Sequence, residues 1–262
     1  MTGQKLGFAI VGAQKAGTGT LDHLCRTHPQ IRMARVKETH FFDDEALDWS
    51  RPDYAALDAQ YPEDESRVRG ESTPITMFWR PAVDRMHRYN PDIRIVALLR
   101  DPVERAYSHW RHEIGGGREA LPFAAAIREG RRRLDGLPPT APEHRVFSYV
   151  ERGLYARQLR HMLERFPGAN VHVEVFEEFV ADQPAGLQRL AGFLNLDPFP
   201  PLAAPAHKHR LEGKVEVPPA AAEDMELLTE AFRDDVVEVE QMLKRSMPWR
   251  SSPSVVNLKF AR

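Results

Sequence analysis

Apolar and polar positions fall into blocks that switch between two periods along the chain. Leu6-Gly-Phe-Ala-Ile-Val11 is a short unbroken apolar run bounded by glycines, the pattern of a strand buried on both faces. Leu21, Leu24, Cys25 and His28 then recur at helical spacing, which predicts a helix opening near Thr18 and ended by Pro29. Arg67 to Glu71 reads as a second strand, and Pro81 to Tyr89 as a helix entered by proline at its first position. Ile93-Arg-Ile-Val-Ala-Leu-Leu99 is a further buried strand. In the helix that follows, Asp101 is placed to cap, Pro102 to fill the first turn and Glu104 to complete a capping box. Val103, Ala106, Tyr107 and Trp110 give that helix an apolar face, and Gly115-Gly-Gly117 stops it.

Tyr155, Leu159, Met162, Leu163 and Phe166 predict an amphipathic helix, and Val171 to Val175 alternates as a strand does. Leu187, Leu190, Ala191 and Leu194 mark another helix, and Met225, Leu228, Phe232, Val236, Val239 and Leu243 a long last one. Lys37 to Pro62 reads as loop and short helix packed by aromatics, residues 118 to 147 as a surface excursion rich in Arg and Pro, and 198 to 219 as a proline-rich loop. Strands alternating with helices predict an α/β fold, with a mostly parallel central sheet carrying helices on both faces, as one domain over 1–262. Ligands in such folds bind at the carboxyl ends of the strands, so the loops after Val11 and after Leu99 are where chemistry is expected.

Composition narrows the function classes. The net charge of −2 over 262 residues gives no bulk attraction to nucleic acid or to a membrane surface, so any anion site must be a local cluster. A single cysteine, Cys25, precludes an internal disulfide. The apolar stretch Leu6 to Ala13 is short for a signal peptide, and no run is long enough to span a bilayer. These features together lead us to expect a reduced, cytoplasmic location.

In Gly12-Ala-Gln-Lys-Ala-Gly-Thr-Gly-Thr20, Gly12 and Gly17 stand at the spacing of the first two glycines of G-x-x-x-x-G-K-[ST]. Thr18 occupies the lysine position, and the lysine moves inside the loop as Lys15. The physics survives this shift. Loop amides and a helix N-terminus converge on an anion, and Lys15, Thr18 and Thr20 can donate to its oxygens. A tight glycine turn without a ligand is the competing reading. A phosphate-transferring enzyme built this way also needs a magnesium ligand after a second strand; Asp101 stands there, but its Pro and Glu neighbours explain it as a helix cap.

Arg100 lies at the end of a strand and just ahead of a helix. Arg105, Ser108 and His112 fall at spacings that place them on one face of that helix, expected to be the one opposite its apolar residues. An arginine, a hydroxyl and a helix start suit a second phosphate. Pairing of Arg100 with Asp101 or Glu104 is the alternative.

Four segments together resemble the sulfotransferases that use 3′-phosphoadenosine 5′-phosphosulfate (PAPS), above all the heparan-sulfate type and its bacterial relatives. They are Ala13-Gln-Lys-Ala-Gly-Thr-Gly-Thr20, Lys37-Glu-Thr-His-Phe-Phe-Asp43, Gly70-Glu-Ser-Thr-Pro74 and Leu99-Arg-Asp-Pro-Val-Glu-Arg-Ala-Tyr-Ser108, in the family's order. The resemblance implies a P-loop-like sulfotransferase fold with PAPS as co-substrate and no metal requirement. It assigns the 5′-phosphosulfate to Lys15, Ala16, Gly17, Thr18, Gly19 and Thr20, and the 3′-phosphate to Arg100 and Ser108. Glu38 matches the family's catalytic base, with His40 beside it as a positioning group or alternative base. A loop closing over the nucleotide is matched by His207-Lys-His-Arg210 and Lys214, which puts Arg210 and Lys214 among the cofactor-binding candidates. Where heparan-sulfate enzymes carry Glu-Lys-Thr-Pro this chain has Ser72, so the acceptor side differs. The implied acceptor is a small molecule, a glycan or a carrier-bound intermediate. Read without the resemblance, Glu38 is a surface acid paired with Lys37, and the alternatives for the loop are a nucleotide kinase or NTPase and an inert nucleotide-binding module.

Overall fold

The computed structural model describes residues 4–62, 67–206 and 217–250. In chain order its elements are β1 (Phe8–Gly12), α1 (Thr18–Cys25), β2 (Ile31–Met33), α2 (Ala55–Asp58), β3 (Val68–Ser72), α3 (Arg80–Tyr89), β4 (Arg94–Leu99), α4 (Pro102–Gly115), α5 (Phe123–Leu134), α6 (Glu143–Phe147), α7 (Tyr155–Arg165), β5 (Val171–Val175), α8 (Phe176–Ala181), α9 (Gln183–Leu194) and α10 (Ala222–Leu243). Contacts divide the chain into two compact units, one of Met1–Leu99 with His161–Arg210, the other of Arg100–Arg160 with Leu211–Arg262.

The first unit carries the sheet. Its five strands run in the order β2-β3-β1-β4-β5, and every pairing is parallel. Parallel neighbours cannot be joined by tight hairpins, so each return needs a crossover, which is why helices and long loops alternate with the strands. β1 is central and buried at every position. Phe8, Ile10, Val96 and Leu98 point into a core completed by Leu21, Leu24 and Cys25 of α1 and by Leu187, Leu190 and Leu194 of α9. Each such side chain contributes about 1.5–3 kcal/mol on burial, so the helix that starts after the glycine loop is held to the sheet by its apolar face.

The second unit is helical. Asp101 caps α4, its Oδ1 accepting from Val103 N at 2.8 Å and Glu104 N at 3.4 Å. The expected reciprocal half of a capping box is not formed: Glu104 turns instead to Arg250, 3.4 Å away, and Arg100, 3.9 Å away. Tyr107, Trp110 and Phe123 cluster between α4 and α5. Asp235 of α10 closes the open end of α7 by accepting from Tyr155 N at 2.7 Å and Ala156 N at 3.2 Å.

Three expectations need correction. Residues 118 to 147 are not a bare surface excursion: α5 buries Phe123, Ala126, Ile127 and Leu134, turns Arg128, Arg131 and Arg132 outward, and pairs half-buried Arg133 with buried Glu119 at 2.7 Å. Helix α1 ends at Cys25, before Pro29 is reached, through backbone bonds from Arg26 N to Asp22 O and from Thr27 N to Leu24 O. Arg105 does not share a solvent face with Ser108. It is fully buried, with a guanidinium N–H donating to Tyr149 O, so the face of α4 that carries it is an inner one.

Candidate functional site

The glycine loop leaves the carboxyl end of central β1. Ala13 N donates back to Leu98 O at 2.7 Å, anchoring the loop to β4, and Ala16 N closes a turn onto Ala13 O at 3.1 Å. Gly17 sits at φ 88° and ends the loop as the residue before α1. A Cβ there would lie 2.7 Å from the Phe176 ring, so both the backbone angle and the close approach require glycine. Gly12 is held as tightly, with Met77 side-chain atoms 2.7 Å from where its Cβ would stand. The amides of Thr18 and Gly19 belong to the first turn of α1 and have no carbonyl partner within the helix. Lys15 adopts a left-handed φ of 70° within the loop. Lys15, Ala16, Gly17, Thr18, Gly19 and Thr20 therefore form one continuous turn at a helix N-terminus, an arrangement suited to an oxyanion.

The Lys37–Asp43 segment is brought to the same end of the sheet. Glu38 N donates to Ser72 O at 3.1 Å, and Ser72 is the β3 residue that pairs with Ile10 of β1. The chain after β3 then crosses back, with Met77 N donating to Val11 O at 2.8 Å. Glu38 and His40 both hold left-handed backbone angles, φ 62° and 52°. For residues with a side chain this costs about 1–3 kcal/mol each and persists only where the surroundings impose it.

The side chains form a line of charge. Glu38 Oε1 meets Lys37 Nζ at 2.5 Å, Glu38 Oε2 lies 3.6 Å from His40 Nε2, and His40 Nδ1 lies 2.9 Å from Asp43 Oδ2. The Glu38 side chain is 39% exposed and that of Asp43 is 1% exposed, so the line runs from solvent into the interior. The pairing with Lys37 that the sequence also allows is thus present, and it occupies one carboxylate oxygen. The other oxygen is the one turned toward the histidine.

Behind this line stands Glu71, which sequence reasoning assigned no role. It is fully buried near the end of β3. Its Oε1 accepts from Thr39 Oγ1 at 3.0 Å and from Thr73 Oγ1, while Oε2 finds no hydrogen-bond partner among the described residues. Burial, aided by the nearby negative charge of Asp43, pushes its carboxyl up from 4.5 to about 7 against the two hydroxyl bonds, which act the other way. An acid inside a strand of a parallel sheet, where apolar residues are the rule, was the available signal.

In the second unit, Arg100 is partly buried at the start of α4. Its carbonyl accepts from Tyr155 Oη at 2.9 Å, and its guanidinium lies 3.9 Å from Glu104. Ser108 is half-buried two turns along. Both oxygens of Asp101 are committed to backbone amides, Oδ1 to the cap and Oδ2 to Arg250 N at 3.0 Å. Arg210 and Lys214 lie outside the described residues.

A phosphate-type loop at the middle of a parallel sheet, with a carboxylate turn beside it, defines an α/β protein of the P-loop-like class. The pattern of the sulfotransferase domain family matches residues 7–209, and the chain belongs to that family. Among its relatives is human "Heparan sulfate glucosamine 3-O-sulfotransferase 6", 32% identical over 192 residues, a match covering 71% of this chain and 51% of that protein. The chain thus spans about half the length of the curated relatives it matches. Among solved structures, a sulfotransferase from Alicyclobacillus acidocaldarius superposes with a TM-score of 0.74 at 26% identity, covering 94% of this chain and 98% of that one. The sulfotransferase domain from the curacin biosynthetic pathway shares the fold, with a TM-score of 0.51 at 13% identity and coverage of 94% and 99%. Among the described residues no helix is long and apolar enough to cross a membrane.

Proposed function

We propose that the chain transfers the sulfuryl group of PAPS to a hydroxyl or amine of an acceptor, with Glu38 as general base. The observation that carries this reading is the hydrogen bond from Glu38 N to Ser72 O, which fixes the carboxylate turn to the strand paired with β1, from whose end the Lys15 loop departs. A base and an oxyanion cradle at one end of one sheet suit an in-line displacement. The acceptor oxygen attacks sulfur, the bond from sulfur to the bridging oxygen breaks, and adenosine 3′,5′-bisphosphate leaves. The acceptor proton passes to Glu38, whose side chain is 3.6 Å from His40 Nε2; His40 is held in turn by buried Asp43. Lys15, the amides of Gly17, Thr18 and Gly19 and the hydroxyls of Thr18 and Thr20 stabilise charge on the departing and equatorial oxygens, a role worth about 10²–10³ in rate per donor.

Arg100 and Ser108 take the 3′-phosphate in this reading. Arg100 directly follows β4 in the chain and stands just ahead of the α4 N-terminus, a setting suited to an anion. Arg210 and Lys214 are assigned to the same nucleotide by the family resemblance alone. The acceptor is a glycan, a small molecule or a carrier-bound intermediate. Ser72 in place of lysine sets this chain apart on the acceptor side from the heparan-sulfate enzymes it resembles. The kinase reading is less well supported, because the Asp101 oxygens that would face magnesium already accept backbone amides.

The test is transfer of label from radiolabelled PAPS to a panel of glycan, phenol and amine acceptors. Glu38→Gln should lower transfer by about 10²–10⁴, and Lys15→Ala by about 10²–10³, with far-UV circular dichroism unchanged. Full transfer by either variant removes that residue from the mechanism.

A further inference from the structure

Two threonines and a buried acid adjoin the Glu38 turn without entering the transfer chemistry. Thr39 stands between Glu38 and His40, the two left-handed residues of the turn. Its hydroxyl donates to Glu71 Oε1 at 3.0 Å and accepts from Phe41 N at 3.4 Å. The turn is thus tied to β3 twice, once through the backbone of Glu38 and Ser72 and once through the side chains of Thr39 and Glu71. Glu71 is itself fixed, since it is fully buried in a central strand and also bonded to Thr73. A buried carboxyl is unfavourable at an ordinary strand position, where an apolar residue of the same size packs at lower cost. What Glu71 supplies that a leucine does not is an acceptor aimed at the Thr39 hydroxyl.

We propose that Glu71 and Thr39 are positioning residues, and that Glu71, acting through the Thr39 hydroxyl, holds the strained Glu38–His40 turn in the conformation that presents the Glu38 carboxylate to the acceptor. The proposal rests on the reading of Glu38 as general base. It predicts a particular division of labour: the tether sets how well the base is aimed and leaves nucleotide binding alone, because the Lys15 loop is anchored separately to β4 through Ala13 N and Leu98 O. Misplacement of a reacting group by about 1 Å is enough to cost on the order of 10² in rate.

The experiment follows PAPS turnover by release of adenosine 3′,5′-bisphosphate, with water or a panel acceptor as nucleophile. With water, its oxygen attacks sulfur, the bridging S–O bond breaks, one water proton passes to Glu38, and sulfate leaves with the bisphosphate. Thr39→Val and Glu71→Leu should each lower kcat by about 10², while KM for PAPS and bisphosphate affinity stay near those of the unmodified chain. Thr39→Ser and Glu71→Gln, which keep a donor and an acceptor in place, should recover most of that rate. The Thr39→Val/Glu71→Leu double variant should be no worse than the poorer single one, since both break one tether. Full kcat in Thr39→Val, equal damage in Glu71→Gln and Glu71→Leu, or additive losses in the double variant would each overturn the proposal. If Glu71→Leu fails to fold, comparison of Thr39→Val with Thr39→Ser, both in a loop, decides the matter. Glu38→Gln is assayed alongside: a loss there with intact Thr39→Val overturns the tether alone, and full activity of Glu38→Gln overturns the tether and the general-base reading together.

Discussion

The Glu71 carboxyl releases its proton near pH 7 in the folded chain, against an ordinary 4.5. Between those values this group binds more proton in the folded state than in the unfolded one, so its contribution to stability is fully present below about pH 4.5 and is lost as pH rises toward 7. At about 1.4 kcal/mol per unit of pKa difference, the decline from this buried group is on the order of 3 kcal/mol. Asp235, pushed up to about 6 by burial, adds a decline of the same sign over a narrower interval. Urea unfolding at pH 5 and at pH 7.5 should therefore show a smaller pH-dependent loss in Glu71→Gln than in the unmodified chain; equal losses would mean that Glu71 ionises normally.

Individual residues were legible in the sequence to different degrees, for physical reasons. Lys15, Gly17, Thr18 and Glu38 stand in contiguous motifs whose chemistry is local, so position along the chain is enough to single them out as candidates. Arg105 was placed on the wrong face because spacing along α4 fixes which residues share a side but not which side meets the core. Glu71 and Asp43 lay inside quoted motifs, but their roles depend on burial and on partners 32 and 3 positions away, which the order of residues does not display.

Among the elements, β1, β4 and the start of α4 were legible because each combines a clear period with a terminal signal. Strand β2 has only three residues, too few to show alternation, and α5 was obscured by the run Arg131, Arg132 and Arg133, of which the first two are exposed and the third pairs with buried Glu119. The cap of α4 gives a direct check: Asp101→Ala removes the acceptor of Val103 N and should cost about 0.5–2 kcal/mol in urea unfolding. An unchanged midpoint would show that the cap contributes nothing. The loop-to-helix junction is stricter. Gly17→Ala forces a side chain into φ 88° and to within 2.7 Å of the Phe176 ring, a loss of about 1–3 kcal/mol from the backbone angle alone. A Gly17→Ala protein of unaltered stability would contradict the loop geometry.

For the molecule as a whole, the alternation of strands and helices predicted a mostly parallel sheet, and all five strands are parallel, with β1 at the centre. That order explains why the loop after β1 and the turn held by β3 matter together: they belong to adjacent strands of the first unit. The order itself was not legible, because pairing between strands is set by packing across the sheet rather than by neighbours in the chain. The central claim of the proposed function is that the chain binds a donor nucleotide bearing two phosphates without a divalent ion. The most direct measurement is the melting temperature of the chain with adenosine 3′,5′-bisphosphate in the presence of a chelator. A ligand at a hundredfold excess over its Kd adds about 2.7 kcal/mol, so the melting temperature should rise by several degrees, and Lys15→Ala and Arg100→Ala should each reduce the rise. No rise at millimolar bisphosphate, or a rise produced by ATP and magnesium instead, would contradict the account.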